Sequence, residues 1–183
     1  KPSSLTHAEA ASLPLVGLSA YQALHDVAQV KAGQRVLIHG GAGGLGSAAI
    51  QIAKHLGAYV ATTVRTQDMD LVKQLGADQV IDFTKEDFAQ VLNGFDVVLD
   101  ALGPKSVMKS LQVLKEGGVV IGFTGPPDSN FASQIGQPLL KPVMSLMSLK
   151  VRKQAKKLGV KYSFFFMKAN GGQLEMLTRL IQS

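Results

Sequence analysis

Residues 36–47 read VLIHGGAGGLGS, a short apolar run followed directly by glycines that open a helix-compatible stretch. Gly41, Gly43 and Gly46 fit G-x-G-x-x-G, and Gly40, Gly43 and Gly46 fit the looser G-x-x-G-x-x-G. In that spacing one glycine permits a tight turn, one lets the backbone approach a pyrophosphate, and one lets helix and strand pack closely. The N–H groups of the first helical turn, around Gly44 and Leu45, then face the anion with the positive end of the helix dipole behind them. Glycine-rich loops also serve as ordinary turns, so the flanks decide. Residues 35–38 are apolar and β-prone, residues 45–56 can bury Ile50, Ile52, Ala53 and Leu56, and Gly57 is placed to end that helix. A second β-rich run at 59–64 closes a βαβ unit of the ~30 residues the motif requires.

The remaining elements repeat this alternation. Thr6 and Glu9 have capping-box spacing, and Pro14 restarts a helix toward Val27, which predicts two lead-in helices. A turn at 31–34 precedes the first strand. Further helices are expected at 67–75, 86–92, 106–114 and 174–181, and further strands at 79–83, 95–100, 119–123 and 162–167, with Gly117-Gly118 as a turn. Strands alternating with helices predict an α/β fold: a Rossmann doubly wound, six-stranded parallel sheet of order 3-2-1-4-5-6 in a three-layer α/β/α arrangement over residues 1–183. Residues 126–158 break the rhythm as an inserted segment. Its apolar stretch at 138–149 is either a core-facing helix or a lid or contact surface.

In a doubly wound sheet the ligand lies beyond the carboxyl ends of the strands, near the reversal of strand order. That selects the loops at 40–46, 63–66, 100–103 and 122–126. A site for NAD usually has Asp or Glu about 20 residues beyond the glycines, whereas an Arg there accommodates a 2′-phosphate. Here the second strand ends Thr63-Val64-Arg65-Thr66, without the acid, and this predicts NADP(H) over NAD(H). Asp100 and Gly103 either bring backbone to the nicotinamide ribose or, through Asp100, cap the next helix. Phe123 and residues 164–166, Phe165 at their centre, either contact the nicotinamide or belong to the core.

Composition excludes several chemistries. The chain has 183 residues, 46% hydrophobic and 17% charged, which suits one globular domain. It has no cysteine, hence no disulfide and no thiolate, and His7, His25, His39 and His55 show no ligand spacing, so no metal site is expected. No apolar run reaches the ~18–20 residues of a membrane span and residues 1–11 lack a signal-peptide core, which reads as a soluble, cytoplasmic protein. The start at Lys1-Pro2, without methionine, reads as an excised domain or an incomplete chain. The net charge of +6 is concentrated: between Asp128 and Glu175 there is no acid, but Lys141, Lys150, Arg152, Lys153, Lys156, Lys157, Lys161 and Lys168 occur. A solvated helical face explains this better than a nucleic-acid site, since aromatic interleaving is missing, though RNA binding stays open as an alternative. No Tyr-x-x-x-Lys pair follows any tyrosine, and Gly46-Ser47-Ala48 lacks the lysine of a P-loop. A methyltransferase would want an acid after the second strand.

Residues 13–24, 36–54, 75–82 and 95–103 together resemble the zinc-independent quinone oxidoreductase, or zeta-crystallin-like, branch of the medium-chain dehydrogenase/reductase superfamily. The resemblance runs through nearly the whole chain and covers the cofactor domain, without the barrel-like catalytic domain of that family. It implies hydride transfer from NADPH to a small electrophilic acceptor, a quinone or an α,β-unsaturated carbonyl; beside it stands the alternative of a module that senses NADPH through the same site without catalysis. It gives Ser19 a place near the nicotinamide, and it sets Leu15 where zinc-dependent relatives have a cysteine. Related enzymes often have Lys near the position of Asp68 and Tyr at that of Phe83; with both replaced, either Arg65 compensates or the phosphate preference is blunted. The family's pairing of sixth strands implies a homodimer through the edge at 162–167. No general acid is evident, so this chain alone is expected to bind cofactor but turn over poorly.

Overall fold

A computed structural model describes residues 4–182, and the Lys1-Pro2 start lies outside them. The sheet is built from β1 (Arg35–His39), β2 (Tyr59–Val64), β3 (Gln79–Asp82), β4 (Phe95–Asp100), β5 (Leu114–Gly122) and β6 (Lys161–Phe164), all parallel, in the order β3-β2-β1-β4-β5-β6. This is the doubly wound arrangement expected from the alternation of elements.

Side-chain parity along the strands divides the core in two. Val36, Ile38, Val60, Val64, Val97, Leu99 and Ile121 face one side, where α1 (His7–Tyr21), α2 (Gly44–His55) and α9 (Gly171–Gln182) pack. Leu37, Ala61, Val98 and Val120 face the other, against α4 (Phe88–Val91), α5 (Pro104–Ser110) and α8 (Leu149–Lys157). A fourth helix, α3 (Met69–Gln74), adds Val72 to the first side. Strands buried on both faces lose nearly all apolar exposure, which is why β4 is buried from end to end.

Several boundaries differ from expectation. The two lead-in helices are one: α1 opens with the predicted capping box between Thr6 and Glu9, runs through Pro14 and continues as a π-helical stretch over Gln22–Val27. Proline removes a single N–H and already has helical φ, whereas burial of eight consecutive residues from Gly17 to Leu24 holds the segment against the sheet. The helix expected at 106–114 is α5, which begins at Pro104 after Gly103 at φ 106°. The fifth strand starts early, at Leu114; the Gly117-Gly118 turn is a bulge within it, since Phe95 pairs with Leu114 but Val97 with Val119. Asp96 holds that bulge by accepting the Arg35 N–H at 2.9 Å and a bond from the Lys115 ammonium.

The inserted segment contains α6 (Ser129–Gln134), α7 (Lys141–Met147) and α8. Its apolar stretch is not a core-facing helix. Within 138–149 only Met144 and Ser148 are buried, and Leu139 and Leu146 are 90% and 70% exposed. The basic residues of α8 lie along a solvated face, with Val151 and Ala155 turned inward. Asp128 ties the segment down: one carboxylate oxygen accepts the N–H groups of Asn130 and Phe131, and the other accepts that of Phe164, at 3.0 Å, on β6.

Candidate active site

The first strand ends at His39 and the chain turns through Gly40, whose φ of 68° is left-handed. The N–H groups of Gly40 and Gly41 donate to the Thr63 carbonyl at 3.0 and 3.2 Å, and that of Gly43 to the Gly40 carbonyl at 2.9 Å. Gly43 caps α2, and the first bond of the helix runs from Ser47 N–H to its carbonyl at 2.8 Å. The N–H groups of Gly44, Leu45 and Gly46 are thus the helix-start donors directed out of the first turn. The close approach is strict at Gly46: a Cβ there would lie 2.2 Å from the Gly40 carbonyl oxygen and 2.7 Å from the Gly41 Cα. At that point the turn and the helix start meet through backbone atoms alone.

Beside the turn, a cleft of about 590 Å³ opens over the carboxyl ends of β1, β2 and β3. Its lining includes His39, Gly40, Thr63, Phe83, Lys85 and Lys109. Phe83 is half exposed in it, a flat apolar surface suited to a planar ring. Arg65 follows β2 and is exposed. The neighbouring acid, Asp82, is engaged by the hydroxyls of Thr66 and Thr84 and by Lys85, and those bonds hold its carboxyl well below the usual carboxylate range. A larger groove, about 710 Å³, lies between α1, α2 and α9, but its walls are helix faces rather than strand ends.

Ser19 is buried on α1, one turn beyond Val16, which comes within 3.5 Å of the Cβ position of Gly44. Asp100 does not cap α5. Gly103 is the capping residue, and the Asp100 side chain is turned under the loop, accepting from Leu102 N–H and the Ser110 hydroxyl, both at 2.9 Å. The Phe123 N–H donates to the Asp100 carbonyl at 2.9 Å, which seats the β5 exit beside the β4 exit. Phe165 is buried in the core, edge-on to half-buried Phe123 with ring centres 5.1 Å apart. Phe164 and Phe166 leave the site to pack on Phe131.

Three residues escaped sequence reasoning: His39, Lys85 and Lys109. The signal for His39 was strand parity, because in this strand order it shares a face with Thr63 and Asp100 across neighbouring strands.

A family model described as zinc-binding dehydrogenase matches residues 44–155. The chain belongs to the zinc-binding dehydrogenase family. This agrees with the resemblance to the medium-chain superfamily. It is 44% identical over 146 residues to a 2-methylene-furan-3-one reductase of Solanum lycopersicum and 40% identical to a chloroplastic NADPH-dependent alkenal/one oxidoreductase of Arabidopsis thaliana, covering 77% of this chain and 37% of each relative. A quinone oxidoreductase structure from Coxiella burnetii superposes with a TM-score of 0.80 at 33% identity, covering 98% of this chain and 50% of that one. The chain therefore spans half or less of the length of these zinc-binding dehydrogenase relatives. The metal in the family's name finds no ligand set here: among the described residues no group of three or more His, Cys, Asp or Glu could hold a metal ion. No helix among them is long and apolar enough to cross a membrane.

Proposed function

We propose that this chain is the NADPH-binding domain of an oxidoreductase that passes a hydride from NADPH to a quinone or an α,β-unsaturated carbonyl. One observation carries the reading: the turn from Gly40 to Gly46 admits no Cβ at its closest point and opens α2 directly beside the cleft over β1, β2 and β3. The relatives' own activities point the same way. In this reading Gly43, Gly44, Leu45 and Gly46 hold the pyrophosphate, and Arg65 and Thr63 the phosphorylated ribose. Backbone at Asp100 and Gly103, with Ser19 and Phe123, borders the nicotinamide end, while Phe165 supports Phe123 from the core.

The cofactor supplies the hydride. The chain contributes placement and the electrostatics of the helix start and of Arg65. We assign the acceptor's proton to water or to a further, barrel-like domain of the same protein. A cytoplasmic home and a homodimer formed through the β6 edge belong to the same proposal; cell fractionation and sedimentation velocity test them.

The deciding experiment is titration of the chain with NADPH and NADH, before and after Arg65→Ala. NADPH should bind more tightly, and the substitution should weaken NADPH by about tenfold, the scale of a hydrogen bond to a charged group, while sparing NADH. Tighter binding of NADH by tenfold or more overturns the assignment.

A further inference from the structure

Beneath the glycine turn lies a run of polar side chains of which the contacts proposed above use only Thr63. His39 is 5% exposed, Thr63 2%, and Ser110 and Asp100 are fully buried. His39 Nδ1 lies 3.0 Å from Thr63 Oγ1, and His39 Nε2 lies 3.0 Å from Ser110 Oγ. The Phe88 ring closes the pocket edge-on to the imidazole, with ring centres 4.5 Å apart.

The direction of every hydrogen follows from the two ends. Asp100 accepts at both oxygens, from Leu102 N–H and from the Ser110 hydroxyl. Having given its only hydrogen, Ser110 Oγ accepts from His39 Nε2–H. Nδ1 of the neutral ring is then the acceptor for the Thr63 hydroxyl, and Thr63 Oγ1 accepts the Gly40 N–H at 3.3 Å. Burial supports the neutral ring by pushing the His39 pKa down, against a weaker upward pull from Asp100.

We propose that His39 is a positioning residue whose hydrogen-bonded chain, from Gly40 through Thr63 and Ser110 to Asp100 and Leu102, fixes the pyrophosphate turn, the end of β2 and the loop after β4 as one unit. The two ends of NADPH are thereby held at a set separation; the inference rests on the NADPH reading. A neutral imidazole fills this place because it presents one donor and one acceptor at opposite corners of a rigid ring. Cutting the chain leaves buried polar groups unpaired on both sides of the gap.

The test uses two probes on the full chain: NADPH, which reaches both ends of the site, and adenosine 2′,5′-bisphosphate, which reaches only the end at Arg65. Ser110→Ala should weaken NADPH about tenfold and leave the bisphosphate within about twofold, the scale of one broken buried hydrogen bond. Ser110→Thr, which restores the hydroxyl, should return NADPH affinity to near the parent value. In the unmodified chain, nitrogen-15 NMR should place the His39 proton on Nε2, and this measurement decides the matter if Ser110→Ala does not fold. A proton on Nδ1, an unchanged NADPH affinity in folded Ser110→Ala, or equal weakening of both probes overturns the proposal. Failure of the unmodified chain to bind NADPH instead overturns the cofactor reading.

Discussion

His39 and Thr63 are register partners across β1 and β2, and their side chains meet at 3.0 Å on the same face of the sheet that carries Asp100. A buried histidine so held must gain a proton when the protein unfolds in mild acid. Its ordinary pKa is 6.5 and burial lowers it in the folded state. Below 6.5 the unfolded chain binds a proton that the folded one refuses, so folding stability falls as the pH drops. The limiting slope is about 1.4 kcal/mol per pH unit for one proton. Asp78, Asp87 and Asp96, each shifted below 3.8 by hydrogen bonds and nearby lysines, add stability that is present above that value and lost only as the pH falls through their lowered values. Acid should therefore destabilise in two stages. Urea unfolding at pH 7, 6 and 5 should show the first, and His39→Gln should flatten it; an unchanged slope in that variant would assign it elsewhere.

The glycine turn offers a paired test in one helix. Gly46→Ala drives a methyl into the Gly40 carbonyl, a backbone atom that cannot step aside, and should cost about 2–4 kcal/mol along with most of the NADPH affinity. Gly44→Ala meets only Val16 Cγ1 at 3.5 Å and should stabilise by about 0.5–1 kcal/mol through better helix propensity. Thermal melts of the two proteins read both signs. Equal destabilisation would show that the turn, rather than the close approach at Gly46, sets the requirement.

The central strands were legible because burial on both faces leaves little freedom: β2 and β4 have the bounds that their apolar runs predict. The motif at 40–46 was legible for a similar reason, since Gly40 is left-handed and Gly46 leaves no room for a Cβ. What composition could not show was interaction across the sequence. Gly117-Gly118 reads locally as a turn, yet it lies in the sheet as a bulge, with Lys115 beside it paired to Asp96 on the next strand. Asp100 reads locally as a helix cap, yet Ser110 ten residues on claims its second oxygen. Pro14 reads as a helix start, yet packing of the following residues carries α1 straight through it.

The exposed apolar residues of the inserted segment give a third expectation. Leu139 and Leu146 are 90% and 70% exposed, so they add almost nothing to the folding of this chain. Replacing both with Ser should move its stability by no more than about 0.5 kcal/mol. The same change should reduce self-association, measured by light scattering, because it breaks up an exposed apolar surface. A large loss of stability would mean that the segment packs more deeply than its exposure indicates.

The Asp128 carboxylate accepts three backbone N–H groups from two segments, and its loss should be felt at a distance. Its two oxygens serve the N–H groups that open α6 and the N–H of Phe164 at the end of β6, where Phe131 also packs on Phe164. Asp128→Ala removes a helix cap, worth about 1 kcal/mol, and leaves a strand-edge donor unpaired, worth about 1–3 kcal/mol more. Asp128→Asn keeps one acceptor oxygen and should recover part of that loss. Because Tyr162 donates to the Pro126 carbonyl at 2.9 Å just upstream, hydrogen exchange in Asp128→Ala should accelerate first at α6 and β6, with β1 and β4 unchanged. Uniform acceleration across the sheet would show instead that the inserted segment and the central strands unfold as a single unit.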